Sequence, residues 1–181
     1  MGNVVLITGG ARSGKSRWAL DWAQASPPAA PRLFIATARS TDAEMAERIA
    51  RHRQERGAEW KTVEAGANAA AAIREAPEDA TAIVDCCTVW LGNVWHEKDG
   101  QEGALAHAVA ELRDAVADWR DSRSGSLCLV TNEVGSGIVP CDAGVRLWRD
   151  WAGRMNQWLA QAADRVVLCV CGLPMEVKST P

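Results

Sequence analysis

The stretch Val4-Val5-Leu6-Ile7-Thr8-Gly9-Gly10-Ala11-Arg12-Ser13-Gly14-Lys15-Ser16 decides the architecture of this chain. A strand-like run leads straight into Gly9-Gly10-Ala11-Arg12-Ser13-Gly14-Lys15-Ser16, which fits the phosphate-loop pattern G-x-x-x-x-G-K-[ST]. The spacing has a mechanical meaning. Glycines let backbone N–H groups wrap a phosphate chain at the positive end of the helix that follows. Lys15 then reaches the β- and γ-phosphates while the Ser16 hydroxyl binds Mg²⁺, so the expected ligand is a nucleoside triphosphate. The acceptor stays open at this point: water, a small molecule, a nucleotide, or a conformational switch.

Outward from this loop, apolar β-branched runs recur at Leu33–Thr37, Ala82–Val84, Leu127–Thr131 and Val166–Cys171, and each reads as a strand buried on both faces. Helical spacing fills the intervals Lys15–Ala25, Ala43–Arg56, Ala67–Glu75, Ala104–Trp119 and Ala143–Ala163. Strand alternating with helix predicts an α/β three-layer fold: a mainly parallel sheet flanked by helices with right-handed crossovers. Lys61-Thr62-Val63-Glu64 is a further edge strand in this reading, one suited to run antiparallel. The breaks at Ser26-Pro27-Pro28, Lys98-Asp99-Gly100 and Ser122–Ser126 are short loops, so residues 1–181 are read as one domain.

Composition narrows the function classes. A net charge of -3 argues against a protein whose main partner is nucleic acid, and no apolar run approaches the roughly 20 residues of a membrane span. No secretory signal is visible, which makes the cytoplasm the expected location. The six cysteines lack paired metal-ligand spacing and read as reduced structural thiols. Nine tryptophans without a tyrosine is unusual usage, but Trp18/Trp22, Trp148/Trp151 and Trp151/Trp158 fall at helical spacings and read as core.

In an open parallel sheet the ligand sits beyond the carboxyl ends of the strands. That rule singles out Thr37-Ala38-Arg39, Asp85, Asn132-Glu133 and Gly172. Asp85 is the candidate for the magnesium shell, with a helix-capping aspartate as the bland alternative. The helix from Ala43 carries Arg48, Arg51, Arg53 and Arg56 around His52, a positive cluster in a negatively charged chain that suits a triphosphate. A neutral imidazole can attack phosphorus. Spacing alone leaves a salt-bridged surface as the alternative, since Glu44, Glu47 and Glu55 share the helix.

In these residues the chain resembles the bifunctional adenosylcobinamide kinase / adenosylcobinamide-phosphate guanylyltransferase family of cobalamin biosynthesis. The likeness spans nearly the whole sequence. It rests on Thr8–Arg17, Phe34–Ala38, Asp42–Arg53, Trp60–Glu64, Val84-Asp85-Cys86, Ala152–Gln157, Ala162–Val166 and Gly172-Leu173-Pro174. Its most specific block is Asn132-Glu133-Val134-Gly135-Ser136-Gly137-Ile138-Val139-Pro140. The resemblance implies a P-loop NTPase fold of the RecA-like kind and two reactions on one substrate. Adenosylcobinamide is phosphorylated with ATP or GTP, and GMP is then transferred from GTP to give adenosylcobinamide-GDP. It also implies a GMP-histidine intermediate at His52, with Lys15 serving catalysis. Nucleotide contacts are implied at Gly9 to Ser16, at Ala36, Thr37 and Ala38, at Arg53, Gln54, Glu55 and Arg56, and at Glu64 and Asp85. Ser16 and Asp85 are the implied metal ligands, and a homotrimer is the implied assembly. Some members carry adjacent histidines where this chain has Arg51-His52, and some have Glu at the position of Asp85. His96 and His107 read as helix or surface residues. The competing expectations are an ordinary small-molecule kinase without a covalent intermediate and a nucleotide-sensing switch.

Overall fold

The computed structural model describes residues 1–25, 30–40 and 42–179. The Ser26-Pro27-Pro28 break lies outside the described residues. Along the chain come β1 (Asn3–Gly9), α1 (Lys15–Gln24), β2 (Arg32–Ala36), α2 (Ala43–Arg56), β3 (Trp60–Glu64), α3 (Ala69–Arg74), β4 (Thr81–Asp85), α4 (Cys87–Glu97), α5 (Glu102–Ser122), β5 (Ser126–Val130), α6 (Ala143–Ala162), β6 (Arg165–Val170) and β7 (Leu173–Ser179). They form one sheet in the order β3-β2-β4-β5-β1-β6-β7. The expected α/β sandwich is therefore observed.

Two details correct the sequence reading. The Lys61–Glu64 segment is an edge strand, but β3 runs parallel to β2, with Arg32 opposite Trp60 and Ala36 opposite Glu64. The intervening α2 carries the chain back across the sheet, and a crossover of that kind delivers a parallel strand. The antiparallel strand is β7 at the far edge, joined to β6 through a tight turn at Cys171-Gly172 in which both residues have positive φ, 52° and 80°.

Strand burial alternates between two packed faces. Val4, Leu6, Ile35, Val84, Leu127 and Leu129 pack against α3, α4, α5 and α6, together with fully buried Trp90 and Trp119. Val5, Ile7, Phe34, Ile83, Cys128 and Val130 form the second cluster with Ala19 and Ala23 of α1. Burial of side chains on both faces explains why these strands read as continuous apolar runs. Helix α2 differs from the rest: Arg56 is the only side chain it buries among those described. The largely exposed α2 leaves room above the ends of β2 and β3.

Candidate functional site

Strand β1 ends at Gly9, and the loop 9–14 turns into α1 at Lys15. Gly14 adopts a left-handed conformation (φ 97°), and no side chain caps the first turn of α1, so backbone N–H groups there are the donors a phosphate would accept. Ala11 and Arg12 are exposed at the loop tip, Arg12 with a positive φ of 55°, while Ser13 and Lys15 are buried. The Lys15 ammonium donates to the Gly9 carbonyl at 3.0 Å, the Gly10 carbonyl at 2.6 Å and Ser13 Oγ at 3.5 Å. Ser16 follows it, half-buried.

Neighbouring strands brace this loop. The Glu133 N–H, just beyond β5, donates to the Gly9 carbonyl, and the Gly172 N–H in the β6–β7 turn donates to the Ser13 carbonyl, both at 3.1 Å. Gly172 Cα would lie only 3.2 Å from a methyl group placed on Gly14, which shows how closely the turn backs the loop.

Asp85 ends β4, two strands from β1, with β5 interposed. It does not cap α4, because the cap is Cys86, whose Sγ accepts from the Val89 N–H at 3.4 Å. Burial, reinforced by the charge of Asp85, pushes the Cys86 thiol up to about 12, while Lys15 acts in the opposite direction. Asp85 and Lys15 thus lie within electrostatic reach of one group. Thr37 is buried beside them: its hydroxyl donates to the Cys86 carbonyl at 2.9 Å and accepts from the Cys86 N–H at 2.8 Å. The donor set of Ser16 hydroxyl and Asp85 carboxylate suits Mg²⁺, which takes a few oxygen ligands beside phosphates and retains waters. Among the described residues no cluster of three His, Cys, Asp or Glu forms a metal cage of its own.

A second group of candidates gathers over β2 and β3. A cavity of about 540 Å³ is lined by Ala38, Arg39 and Ser40 beyond β2, Ala46, Ile49, Ala50 and Arg53 of α2, and Glu64, Ala65, Gly66 and Asn68 at and beyond the end of β3. Arg53 is ion-paired with Glu64. The Arg56 guanidinium stacks 3.7 Å over the Phe34 ring. Burial and then Arg53 lower its pKa, against opposing support from Asp85 and Glu64. Arg53, Arg56, Glu64 and Asp85 therefore share one electrostatic neighbourhood. His52 is half-buried on the same helix, Gln54 is exposed, and Ala36 is buried in the sheet. The side chains of Arg48 and Glu55 lie outside those described. His96 and His107 are exposed on α4 and α5.

Some contributors are not among the sequence-predicted site residues. Asn93 on α4 donates to the Thr37 carbonyl at 2.7 Å, and Glu97 pairs with Arg39. A buried relay also fixes the exit of β5: Thr88 Oγ1 and Thr131 Oγ1 lie 3.0 Å apart, Thr131 donates to Asn156 Oδ1 at 2.7 Å, and the Asn156 amide donates to the Asn132 carbonyl at 3.1 Å. The signal for Asn156 was its place inside the amphipathic α6, where a polar residue at the level of Met155 needs a partner. Nothing in the spacing of Trp90–His96 pointed to Asn93.

A strand, a glycine loop and a buried lysine at the head of a helix, set in a parallel sheet with an acidic residue two strands away, define a P-loop nucleotide-binding protein. Residues 5–177 match the family described as cobinamide kinase / cobinamide phosphate guanyltransferase, and the chain belongs to that family. It is 41% identical over 182 residues to the bifunctional adenosylcobalamin biosynthesis protein CobP of Pseudomonas aeruginosa, covering 97% of this chain and 98% of that one. The bifunctional adenosylcobalamin biosynthesis protein CobU of Salmonella typhimurium is 39% identical over 184 residues, at 97% and 99% coverage. Among solved structures, a Pyrococcus horikoshii OT3 protein superposes with a TM-score of 0.56 at 8% identity, covering 99% of this chain and 88% of that one, a likeness of fold. No helix among the described residues is long and apolar enough to cross a membrane.

Proposed function

We propose that this chain phosphorylates the aminopropanol hydroxyl of adenosylcobinamide with ATP or GTP. It then transfers GMP from GTP to the resulting phosphate through a covalent GMP-His52 intermediate. The observation that carries the reading is the pairing of two sites on one sheet edge: the braced phosphate loop at β1, and the cationic cavity at β2 and β3 bordered by the helix that bears His52.

For the kinase step, Lys15 and the loop N–H groups from Gly9 to Ser16 hold the triphosphate, and the substrate hydroxyl attacks the γ-phosphorus in line. Ser16 and Asp85 are the residues that would hold Mg²⁺, which would neutralise charge on the phosphates. For the second step, a neutral His52 ring nitrogen attacks the α-phosphorus of GTP. A P–N bond forms, the bond to the β-phosphate oxygen breaks, and pyrophosphate leaves. An oxygen of adenosylcobinamide phosphate then attacks the same phosphorus and releases the imidazole. Arg53 and Arg56 offset the charge gathering at phosphorus. Ala36, Thr37, Ala38, Gln54, Glu55 and Glu64 complete the nucleotide contacts in this reading, and a cavity of about 540 Å³ is of the size a nucleoside needs.

The whole of residues 1–181 acts as one domain in this account. A homotrimer is part of it, for which β7, exposed on nearly all its length, offers Met175 and Val177 as coverable surface. A reducing cytoplasm suits the six free thiols. The test uses GTP labelled at the α-phosphorus, followed by denaturation. Label stable in alkali, lost in acid and absent from His52→Ala is the expected result. Equal labelling of His52→Ala, or no label on protein that still binds GTP, would overturn the histidine intermediate.

A further inference from the structure

The loops after β5 and β6 both abut the phosphate loop, and both carry apolar side chains into solvent. Ile138 is 96% exposed and Val139 63% in the first, and the strand ends that the second joins carry Val170 at 45% and Leu173 at 71% exposure. Strand order places these two segments on either side of β1, and each is hydrogen-bonded directly to the loop, through Glu133 to Gly9 and through Gly172 to Ser13. Val170 and Leu173 face each other across the β6–β7 pair and so share one side of the sheet.

The first segment is held by its backbone rather than by its side chains. Arg146 donates to the Pro140 carbonyl at 2.9 Å and the Cys141 carbonyl at 2.6 Å, Arg149 donates to the Ile138 carbonyl at 3.4 Å, and the Gly135 N–H donates to Glu133 Oε1 at 2.6 Å. Two α6 arginines thus clamp a loop whose apolar side chains point outward. Exposed aliphatic groups on a pinned backbone are costly for a lone chain and useful for a ligand.

We propose that Ile138 and Val139 on one flank, and Val170 and Leu173 on the other, form the surface that receives the corrin ring of the substrate. This rests on the functional reading above. A corrinoid is broad, flat and rimmed with methyl groups and amides, and its reactive hydroxyl ends a short arm. The ring must therefore dock within an arm's length of the γ-phosphate, and these four side chains are exposed aliphatic groups in or next to the segments hydrogen-bonded to the phosphate loop. The cavity over β2 and β3, lined by Arg39, Arg53 and Glu64, has the opposite character and is left to the nucleotide.

The test compares the full-length wild type with an Ile138→Ser/Val139→Ser double variant and a Leu173→Ser variant, using cobinamide itself as the probe. Each variant is expected to raise the KM for cobinamide about tenfold, the effect of one well-buried aliphatic contact, with a much smaller change in the KM for GTP. Melting temperature and mass by light scattering are read on the same samples, since substituting exposed side chains should leave the fold intact. An unchanged cobinamide KM with reduced mass would overturn the proposal and assign these residues to an interface between copies. An unchanged KM with unchanged mass would overturn it in favour of a corrin site elsewhere. Failure of the wild type to bind cobinamide at all would instead refute the functional reading, and the inference would fall with it.

Discussion

Replacing Gly9 by alanine tests the claim that the phosphate loop is held by the strand beside it. A methyl group at Gly9 would collide with the Cys169 carbonyl oxygen and lie 2.7 Å from Ser13 Oγ, and the residue's φ is +150°. The Cys169 oxygen cannot rotate away, because Cys169 sits opposite Gly9 in the β1–β6 register and that oxygen belongs to the backbone. The unfavourable φ costs about 1–3 kcal/mol. Overpacking adds a similar amount, about 1–3 kcal/mol, giving about 4 kcal/mol in all. For a chain of this size that lowers the melting temperature by about 12 °C, at about 3 °C per kcal/mol. Gly10→Ala is the matched control: no atom lies within 4 Å of its added methyl, so its stability should stay within about 0.5 kcal/mol of wild type. The readout is urea unfolding together with GTP binding by equilibrium dialysis. Displacement of the Gly9 carbonyl disturbs an acceptor shared by Lys15 and Glu133, so GTP affinity should fall with stability. A Gly9→Ala protein that unfolds at the same urea concentration as Gly10→Ala and binds GTP equally well would refute this account of the loop.

Lys15→Met should lower the rate of cobinamide phosphorylation by about 10²-fold or more, since it removes the cation that the proposed kinase step sets against the developing phosphoryl charge, and steady-state assays with labelled ATP would show it. An aromatic disulfide reagent should titrate two thiols in the native protein, Cys141 and Cys171, and all six after denaturation, because the other four are buried. Burial raises the thiols of Cys86, Cys87 and Cys128 above their ordinary range, so stability is fully present below about pH 8.5–9 and is lost as pH rises beyond it. At pH 10 the loss should be about 4 kcal/mol across the three, measurable by urea unfolding at pH 7 and pH 10. Asn156→Ala should cost about 2 kcal/mol by leaving the Asn132 carbonyl and Thr131 hydroxyl short of partners, again by urea unfolding.

The loop and the central strands were legible because local chemistry dictates them. Gly9 to Ser16 can be read as a phosphate loop without knowing its neighbours, and β1, β2, β4, β5 and β6 announce themselves as apolar runs because both faces of each are covered. The segments that escaped are those whose structure is imposed from outside. Helix α4 contains Thr88, Val89, Gly92 and Val94, a poor set of helix formers, and it is helical because Trp90, Leu91 and Val94 bury against the core. Strand β7 has no buried face to produce alternation and contains Pro174, yet it pairs along β6 over most of its length. The direction of β3 was misread for a related reason: Lys61–Glu64 fixes an edge position, but direction follows from the route of α2 across the sheet.

The same distinction explains why local spacing says little about His52. On its helix it is one polar residue among many, and the local pattern of arginines and glutamates describes an ordinary solvated face. The role proposed for it rests on what the topology sets beside α2. Arg56 turns inward onto Phe34, Arg53 reaches Glu64 on the neighbouring strand, and the ends of β2 and β3 leave a cavity beneath a helix that buries little of itself. A tightly packed α2 would have closed that space with aliphatic side chains and left the arginines in solvent. An underpacked helix over the ends of β2 and β3 is thus what gives the proposed guanylyl transfer room on the same sheet edge as the phosphate loop.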